Sequence, residues 1–381
     1  MNLADPLFLL AGSTLAMALL LGFDLARGLL SLPRLRNAGD PAATPPVSVV
    51  IAARDEARTI APVVQSILRQ NYPALEVVAV NDRSTDGTGQ ILERLAEEHH
   101  RVRVIHVTDL PEGWLGKNHA LQQGADAARG ELLLFTDADV VMRSEAVARA
   151  VTVMERNGVD HLAVAPRIHA GSAAATMTVA VFLALFSVVF RPWKARDPKS
   201  RWHIGIGAFN LVRAHAYRAI DGHHSLSLRP DDDVRLGRAL KAAGYRQATA
   251  IGTSVAEVEW YPTLPAMARG LRKNAFAVVE YRLSLVAAGT VVPFLFIFWP
   301  VTALVLTTGA VWWLNAATVA AGAVTIFATA RTHSMPVWTS LTFPLGSVFL
   351  LWIVWAAALR AVWTGRVEWR GTEYRLEELR R

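Results

Sequence analysis

The sequence predicts an α/β protein, a mostly parallel sheet with helices on both faces, carried together with transmembrane helices. Three observations lead there. Between residues 47 and 136 short apolar runs alternate with stretches of helical spacing, the pattern of a parallel sheet with crossover helices. The chain is 52% hydrophobic over 381 residues, with a mean hydropathy of +0.28, too apolar for an ordinary soluble protein. Four apolar stretches, one near the start and three after residue 284, reach the roughly 17–25 residues that a bilayer requires.

Charge and cysteine content narrow the function classes. The net charge of +7 comes from scattered arginines and not from a basic run, which disfavours nucleic acid against anionic lipid or a phosphorylated substrate. With no cysteine there is no disulfide framework, no thiolate nucleophile and no cysteine-bound zinc.

Residues 1–32 read as a transmembrane anchor, because 7–23 are almost uninterrupted apolar sequence. Asp5 stands where a signal peptide would carry positive charge, which argues against cleavage. Arg27, Arg34 and Arg36 follow the span and place what comes next in the cytoplasm. A linker is expected over 33–46. Strands are then expected at 47–53, 77–80, 102–107 and 131–136, and helices at 59–69, 88–98 and 118–128.

The strand ends carry the chemistry. Arg54-Asp55-Glu56 closes the first strand and Asn81-Asp82-Arg83-Ser84-Thr85-Asp86-Gly87-Thr88 the second. In the latter, Asp86 or Thr88 suits a helix N-cap and Gly87 a positive φ. Gly116-Lys117-Asn118-His119 puts a lysine at a helix N-terminus, where a phosphate is well held, without P-loop spacing. After Leu132-Leu133-Leu134 the fourth strand ends in Asp137-Ala138-Asp139, at the edge where parallel sheets bind ligands. Two carboxylates one residue apart repel each other, an arrangement that suits a divalent cation facing an anionic ligand. A polar strand end that caps the next helix would also present an aspartate.

In this order and spacing, over roughly residues 47–280, these motifs resemble family 2 glycosyltransferases of GT-A fold. The likeness is greatest to the membrane-attached branch that includes ceramide glucosyltransferase-like, hopanoid-associated and carotenoid enzymes. The resemblance implies that Asp82 contacts the nucleotide base, Lys117 the diphosphate, Asp137 the ribose and a metal, and Asp139 the metal. Arg54 and Glu56, at the end of the first strand, join this donor-binding set.

The apolar stretch 173–190 is long enough to span, yet a crossing there would put Asp139 and the later acidic cluster on opposite sides of the bilayer. It is expected as a buried or interfacial helix ending at Arg191, Trp193 and Lys194. Gly205-Ile206-Gly207 resembles the family's stretch beneath the acceptor. Asp231-Asp232-Asp233 then opens a helix. Capping explains one or two of the three. In the family register, aligned on Leu236, the pair is Asp232-Asp233, with Asp233 the catalytic base and Asp232 the alternative one residue away; Asp231 is expected as the N-cap. Over 260–282, Arg269, Arg272 and Lys273 share a helical segment with Leu264, Met267 and Leu271, suited to lipid phosphates or the donor diphosphate. Lys273 stands where processive members carry tryptophan, so no polymerase is expected.

Over 284–363 three stretches are long enough to span and two to four crossings are expected, the last stretch open to interruption at Pro344-Leu345-Gly346, followed by a basic tail over 364–381 that includes Arg370, Arg380 and Arg381. The donor half of the catalytic domain is assigned to 47–165 and the acceptor half to 166–283. The combined expectation is an inverting, metal-dependent glycosyltransferase in a membrane, on this reading the bacterial inner membrane, with its catalytic domain cytoplasmic. It would use a nucleoside-diphosphate sugar, Mg²⁺ or Mn²⁺, and a lipid acceptor. The rival of the same class transfers to polyprenyl phosphate, which needs no base; a rival of another class is a non-catalytic nucleotide-sugar sensor. A transporter is disfavoured because the spans carry hardly any charge.

Overall fold

The computed structural model describes residues 5–369 and 372–379. It consists of two compact units, one formed by Leu32–Ile168 with Pro192–Glu259, the other by Met1–Ser31, His169–Arg191 and Trp260–Arg381.

The first unit follows α1 (Pro6–Ser31) in the chain and is the α/β body. Its elements run β1 (Val47–Ala53), α2 (Ile60–Leu68), β2 (Leu75–Asp82), α3 (Thr88–Glu98), β3 (Val102–Val107), α4 (Gly116–Ala127), β4 (Leu132–Asp137), β5 (Val140–Met142), α5 (Ala146–Asn157) and β6 (His161–Ala165). After β7 (Arg167–His169) and α6 (Ala173–Phe190), it resumes with β8 (Asn210–Arg213), α7 (Ala214–Ala219), α8 (Asp232–Ala242), β9 (Gln247–Ile251) and β10 (Ala256–Glu259). Seven strands form one sheet in the order β3-β2-β1-β4-β8-β6-β9. Neighbours run parallel except at β8, which is antiparallel to both β4 and β6. Val50, Val78, Leu133 and Phe135 point to one face and pack with Leu121, Ala125, Tyr217, Leu236 and Leu240 of α4, α7 and α8. Val49 and Ile51 point the other way and are equally buried, so both faces of the sheet are covered.

Residues 33–46, expected as a linker, lie along this sheet: Arg34 bridges to Ile251 of β9, and Leu35 is fully buried. Gly39 accepts a hydrogen bond from Thr152 Oγ1 and Pro45 from the Tyr72 hydroxyl. Docking of this kind uses contacts far apart in sequence, to which a search for composition shifts is blind.

The second unit is helical. Besides α1 and α6 it holds α9 (Leu264–Ala277), α10 (Leu283–Pro293), α11 (Trp299–Leu306), α12 (Gly309–Thr332) and α13 (Phe343–Thr364), with a hairpin of β11 (Arg366–Trp369) and β12 (Thr372–Arg375) after them. A π-helical turn, Phe294–Phe298, joins α10 to α11 beyond Pro293, whose missing N–H interrupts the regular ladder. Among the described residues, five helical stretches are long and apolar enough to cross a membrane: α1, α6, α10 with α11, α12 and α13. Of these α6 is the most enclosed, with 44% of its apolar window buried against 11% for α1; it packs along α13. There the approach is close, since a Cβ on Gly346 would lie 2.6 Å from the Met177 carbonyl oxygen. The break left open near Pro344 falls just before it, between a 3-10 turn at Val337–Ser340 and α13. Proline is well tolerated in the first helical turn, where its missing donor has no partner to lose, and α13 runs unbroken from Phe343.

Candidate functional site

Four loops at the carboxyl ends of the parallel strands build the site, and the first two are laced together. Asp55, at φ 54°, accepts from Thr85 N at 2.8 Å and donates its own N–H to Ser84 Oγ at 3.0 Å. Glu56 N donates to Thr88 Oγ1, and Ala57 N to Asp86 Oδ2. Asp86 Oδ1 also accepts from Thr88 N at 3.1 Å, while Gly87 occupies the N-cap position at φ 92°. Hydrogen bonding to Thr88 holds the Asp86 carboxyl below its ordinary range. Arg54 lies half-buried at the end of β1.

Asp82, at the end of β2, is 3% exposed. Both its oxygens are taken by Arg83, through Nε at 2.7 Å and Nη2 at 3.2 Å. The pair lies against Gly116, where any Cβ would collide with Asp82 Oδ2. A glycine is required there for the start of α4 to approach the end of β2 this closely.

Lys117, in the first turn of α4, reaches the centre of the site. Its Nζ is 3.0 Å from Asp137 Oδ1 and 3.4 Å from Asp232 Oδ2. Burial works against its charge, but Asp137, Asp232 and Asp233 together hold the ammonium protonated well above its ordinary range. Asp233 Oδ2 accepts the Gly207 N–H at 2.7 Å and Oδ1 its neighbour Val234 N–H at 2.8 Å. A Cβ on Gly207 would meet Asp137 Oδ2 at 3.1 Å, Asp233 Oδ2 at 3.5 Å and Lys117 Nζ at 3.6 Å. Gly207 is thus the point around which these three functional groups converge. Gly205 and Gly237 serve the same junction, because a Cβ on either would strike the backbone carbonyl of Asp233 or Ile204.

Burial, then the charge of Asp232, pushes the Asp233 carboxyl up to about 7 against the pull of Lys117. Asp139 is likewise pushed up to about 7, by burial and then by Asp137 and Glu56. Its Oδ1 is a buried acceptor with no hydrogen-bond partner. Asp137, Asp139, Asp232 and Asp233 against Lys117 leave an excess of negative charge where a diphosphate is expected. A divalent cation at Asp137 and Asp139 fits that balance and would supply the missing partner of Asp139. Among the described residues no group of three or more carboxylates or imidazoles could hold a metal alone, so a cation here would need ligands from the substrate.

The sequence expectation for Asp231 is half met. It occupies the N-cap position of α8 without making a capping bond; its Oδ2 instead accepts from Arg235 Nε at 2.9 Å. An arginine one turn on competes for the carboxylate with the helix's own amides. Asp232, 3% exposed, faces Lys117 and lies 3.9 Å from His223 Nε2. Arg269 is exposed on α9. The side chains of Arg272 and Lys273 lie outside the described residues, as do Arg370, Arg380 and Arg381.

Several supporting residues had no role in the sequence reading. Asn118, fully buried, donates Nδ2 to the carbonyls of Leu226 at 2.6 Å, Ser227 at 3.3 Å and Arg229 at 2.9 Å. It thereby clamps the loop that leads into Asp231–Asp233 onto the helix that carries Lys117. One turn later, Gln122 Oε1 accepts from the Tyr217 hydroxyl at 3.0 Å and His223 N at 2.8 Å. Tyr217 also bonds His223 Nδ1 at 2.7 Å. Burial, then Lys117, drives the His223 imidazole down to about 3, so it stays neutral. The available signal was the spacing of Asn118 and Gln122 on one face of a helix after a glycine.

Residues 48–220 match the family described as glycosyl transferase family 2. Over that stretch the chain resembles family 2 glycosyl transferases. Its match ends before α8, so the Asp231–Asp233 region lies beyond it. A curated relative, the 4,4'-diaponeurosporenoate glycosyltransferase of Staphylococcus aureus, is 28% identical over 202 residues, covering 51% of this chain and 50% of the relative. The chain spans about half the length of the curated relatives it matches. Among solved structures, the mannosyltransferase PcManGT from Pyrobaculum calidifontis in complex with GDP-Man and Mn²⁺ aligns over 94% of this chain and 98% of its own, with a TM-score of 0.55 and 21% identity. The fold is the GT-A type that the strand-end motifs imply.

Proposed function

We propose that the protein is an inverting glycosyltransferase that moves a sugar from a nucleoside-diphosphate donor to a hydroxyl of a membrane lipid. The observation that carries this reading is the convergence of Lys117, Asp137 and Asp233 on Gly207. The ammonium of Lys117 and the amide end of α4 hold the diphosphate. Asp82, once Arg83 gives way, receives the base, and Asp137 the ribose. Asp137 and Asp139 would hold Mg²⁺ or Mn²⁺, which neutralises charge on the departing diphosphate. Asp233, kept unprotonated only near and above neutral pH, takes the acceptor's proton as its oxygen attacks the anomeric carbon from the face opposite the leaving group. The two N–H bonds from Gly207 and Val234 aim this carboxylate.

The lipid acceptor is inferred from the five apolar helices and from the carotenoid-type substrate in the curated relative's name. Arg27, Arg34 and Arg36 favour a cytoplasmic α/β unit. The deciding experiment incubates membranes holding the full chain with a panel of radiolabelled nucleotide sugars and extracts the lipid. Label in the lipid fraction, dependent on Asp233, supports the reading. Hydrolysis alone, or no turnover of any donor, overturns it.

A further inference from the structure

The loop directly after α6 carries a surface that the transfer reaction does not use. Residues 192–203 hold Lys194, Arg196, Lys199 and Arg201 against the single acid Asp197, with Trp193 and Trp202 among them. The loop is compact: Ser200 Oγ donates to the Lys194 carbonyl at 2.6 Å, and Thr249 Oγ1 to that of Pro192 at 3.1 Å. From α8, Lys241 Nζ donates to the carbonyls of Ala195 at 2.8 Å and Asp197 at 2.6 Å. That anchor sets the loop beside the basic side of α8. His203 has its pKa lowered by burial and by the charges of Arg238, Arg235 and Lys241, although a hydrogen bond to the Arg201 carbonyl opposes them. Arg196, Lys199, Arg201 and Arg238 are exposed, the two tryptophans are half-buried, and the Arg201 guanidinium lies 5.1 Å from the Trp202 ring centroid.

We propose that this shelf docks on the anionic headgroup layer of the membrane, its arginines and lysine meeting lipid phosphates while the tryptophans sit at the interface. Exposed cations interleaved with half-buried indoles match the chemistry of that layer. A soluble phosphate ligand would not need the indoles. A single residue, Arg191, separates the loop from the end of an 18-residue apolar helix, so it cannot lie far from lipid if α6 meets the bilayer. Through Lys241 the shelf is tied to α8, whose first turn holds Asp233. The docking itself does not depend on the transfer reaction.

The absence of cysteine makes a direct test available. Exposed Pro198 is replaced (Pro198→Cys), labelled with an environment-sensitive fluorophore, and the full chain is reconstituted in phosphatidylcholine vesicles with or without phosphatidylglycerol. Both preparations carry the same trace of lipid with a nitroxide on its headgroup. The expected result is roughly twofold or greater extra quenching in the anionic vesicles, reversed at ~1 M salt where the Debye length falls to about 3 Å. Replacing the four exposed cations together (Arg196→Gln, Lys199→Gln, Arg201→Gln, Arg238→Gln) should abolish the difference while circular dichroism stays unchanged. Equal quenching in both vesicles, or a four-site variant that still responds to phosphatidylglycerol, overturns the proposal.

Discussion

The two acidic clusters of the site differ in how their charge is satisfied. At the end of β4, Asp139 keeps a buried oxygen without a partner and Asp137 has Lys117 on one side. At the start of α8, every carboxylate is partnered: Asp231 by Arg235, Asp232 by Lys117, and Asp233 by two backbone N–H groups. The strand-end cluster is incomplete without something from outside, whereas the helix-start cluster is complete and held in place. Incompleteness suits a group that binds a cation with its substrate, and a fixed, fully bonded carboxylate suits a base.

The sharpest way to break this comparison is Asp233→Asn. A positioned base contributes roughly 10²–10⁴ in rate, so transfer should fall by that much while nucleoside diphosphate binding, followed by calorimetry, persists. If Asp232→Asn were the inactive variant instead, the register would be off by one; if neither mattered, transfer to an anionic acceptor would move ahead. Asp139→Asn should be nearly as damaging to transfer but for another reason. Thermal melts in Mn²⁺ plus nucleoside diphosphate should lose the stabilising shift of the unaltered protein, and melts in chelator should not fall, because an uncompensated buried charge has been removed.

The pH profile separates the clusters further. Asp233 is raised to about 7, so it is a carboxylate above that pH and an acid below it. With saturating cation, kcat/KM should therefore drop tenfold per unit on the acid side of about pH 7, and a flat profile down to pH 5 would remove Asp233 from the role of base. Asn118→Ala tests the clamp between the two regions. Leaving buried carbonyls unpaired costs about 1–3 kcal/mol, and the loosened α8 should lower kcat more than it raises KM. An effect on the melting temperature alone would make Asn118 purely structural. The smallest effect belongs to Asp231→Asn. Its i,i+4 pair with Arg235 is worth about 0.3–0.5 kcal/mol, a slight shift in melting with turnover retained.

Much of this architecture was legible because it is encoded locally. Strands of the sheet show as short apolar runs, and its polar edge shows because polar residues gather where each run stops, as at Asp82 and Asp137. Long apolar stretches announce α1, α12 and α13 by length alone. Where local reading stopped short, two local rules competed. Pro344, open to reading as a breaker, sits in the first turn of α13, and Asp231 holds the N-cap position but bonds Arg235 and not the helix amides.

The sequence by itself determined the class of fold, the polar sheet edge with Lys117, Asp137 and Asp139, and the apolar helices, because each depends on residues within a turn or a strand of one another. Only the tertiary structure decided which aspartate of three turns toward Lys117, why Gly205 and Gly237 are glycine, and that Asn118 holds a loop 108 residues away. Hydrogen bonds and backbone contacts across such separations exist only after the chain has closed on itself, and no periodicity in the sequence records them.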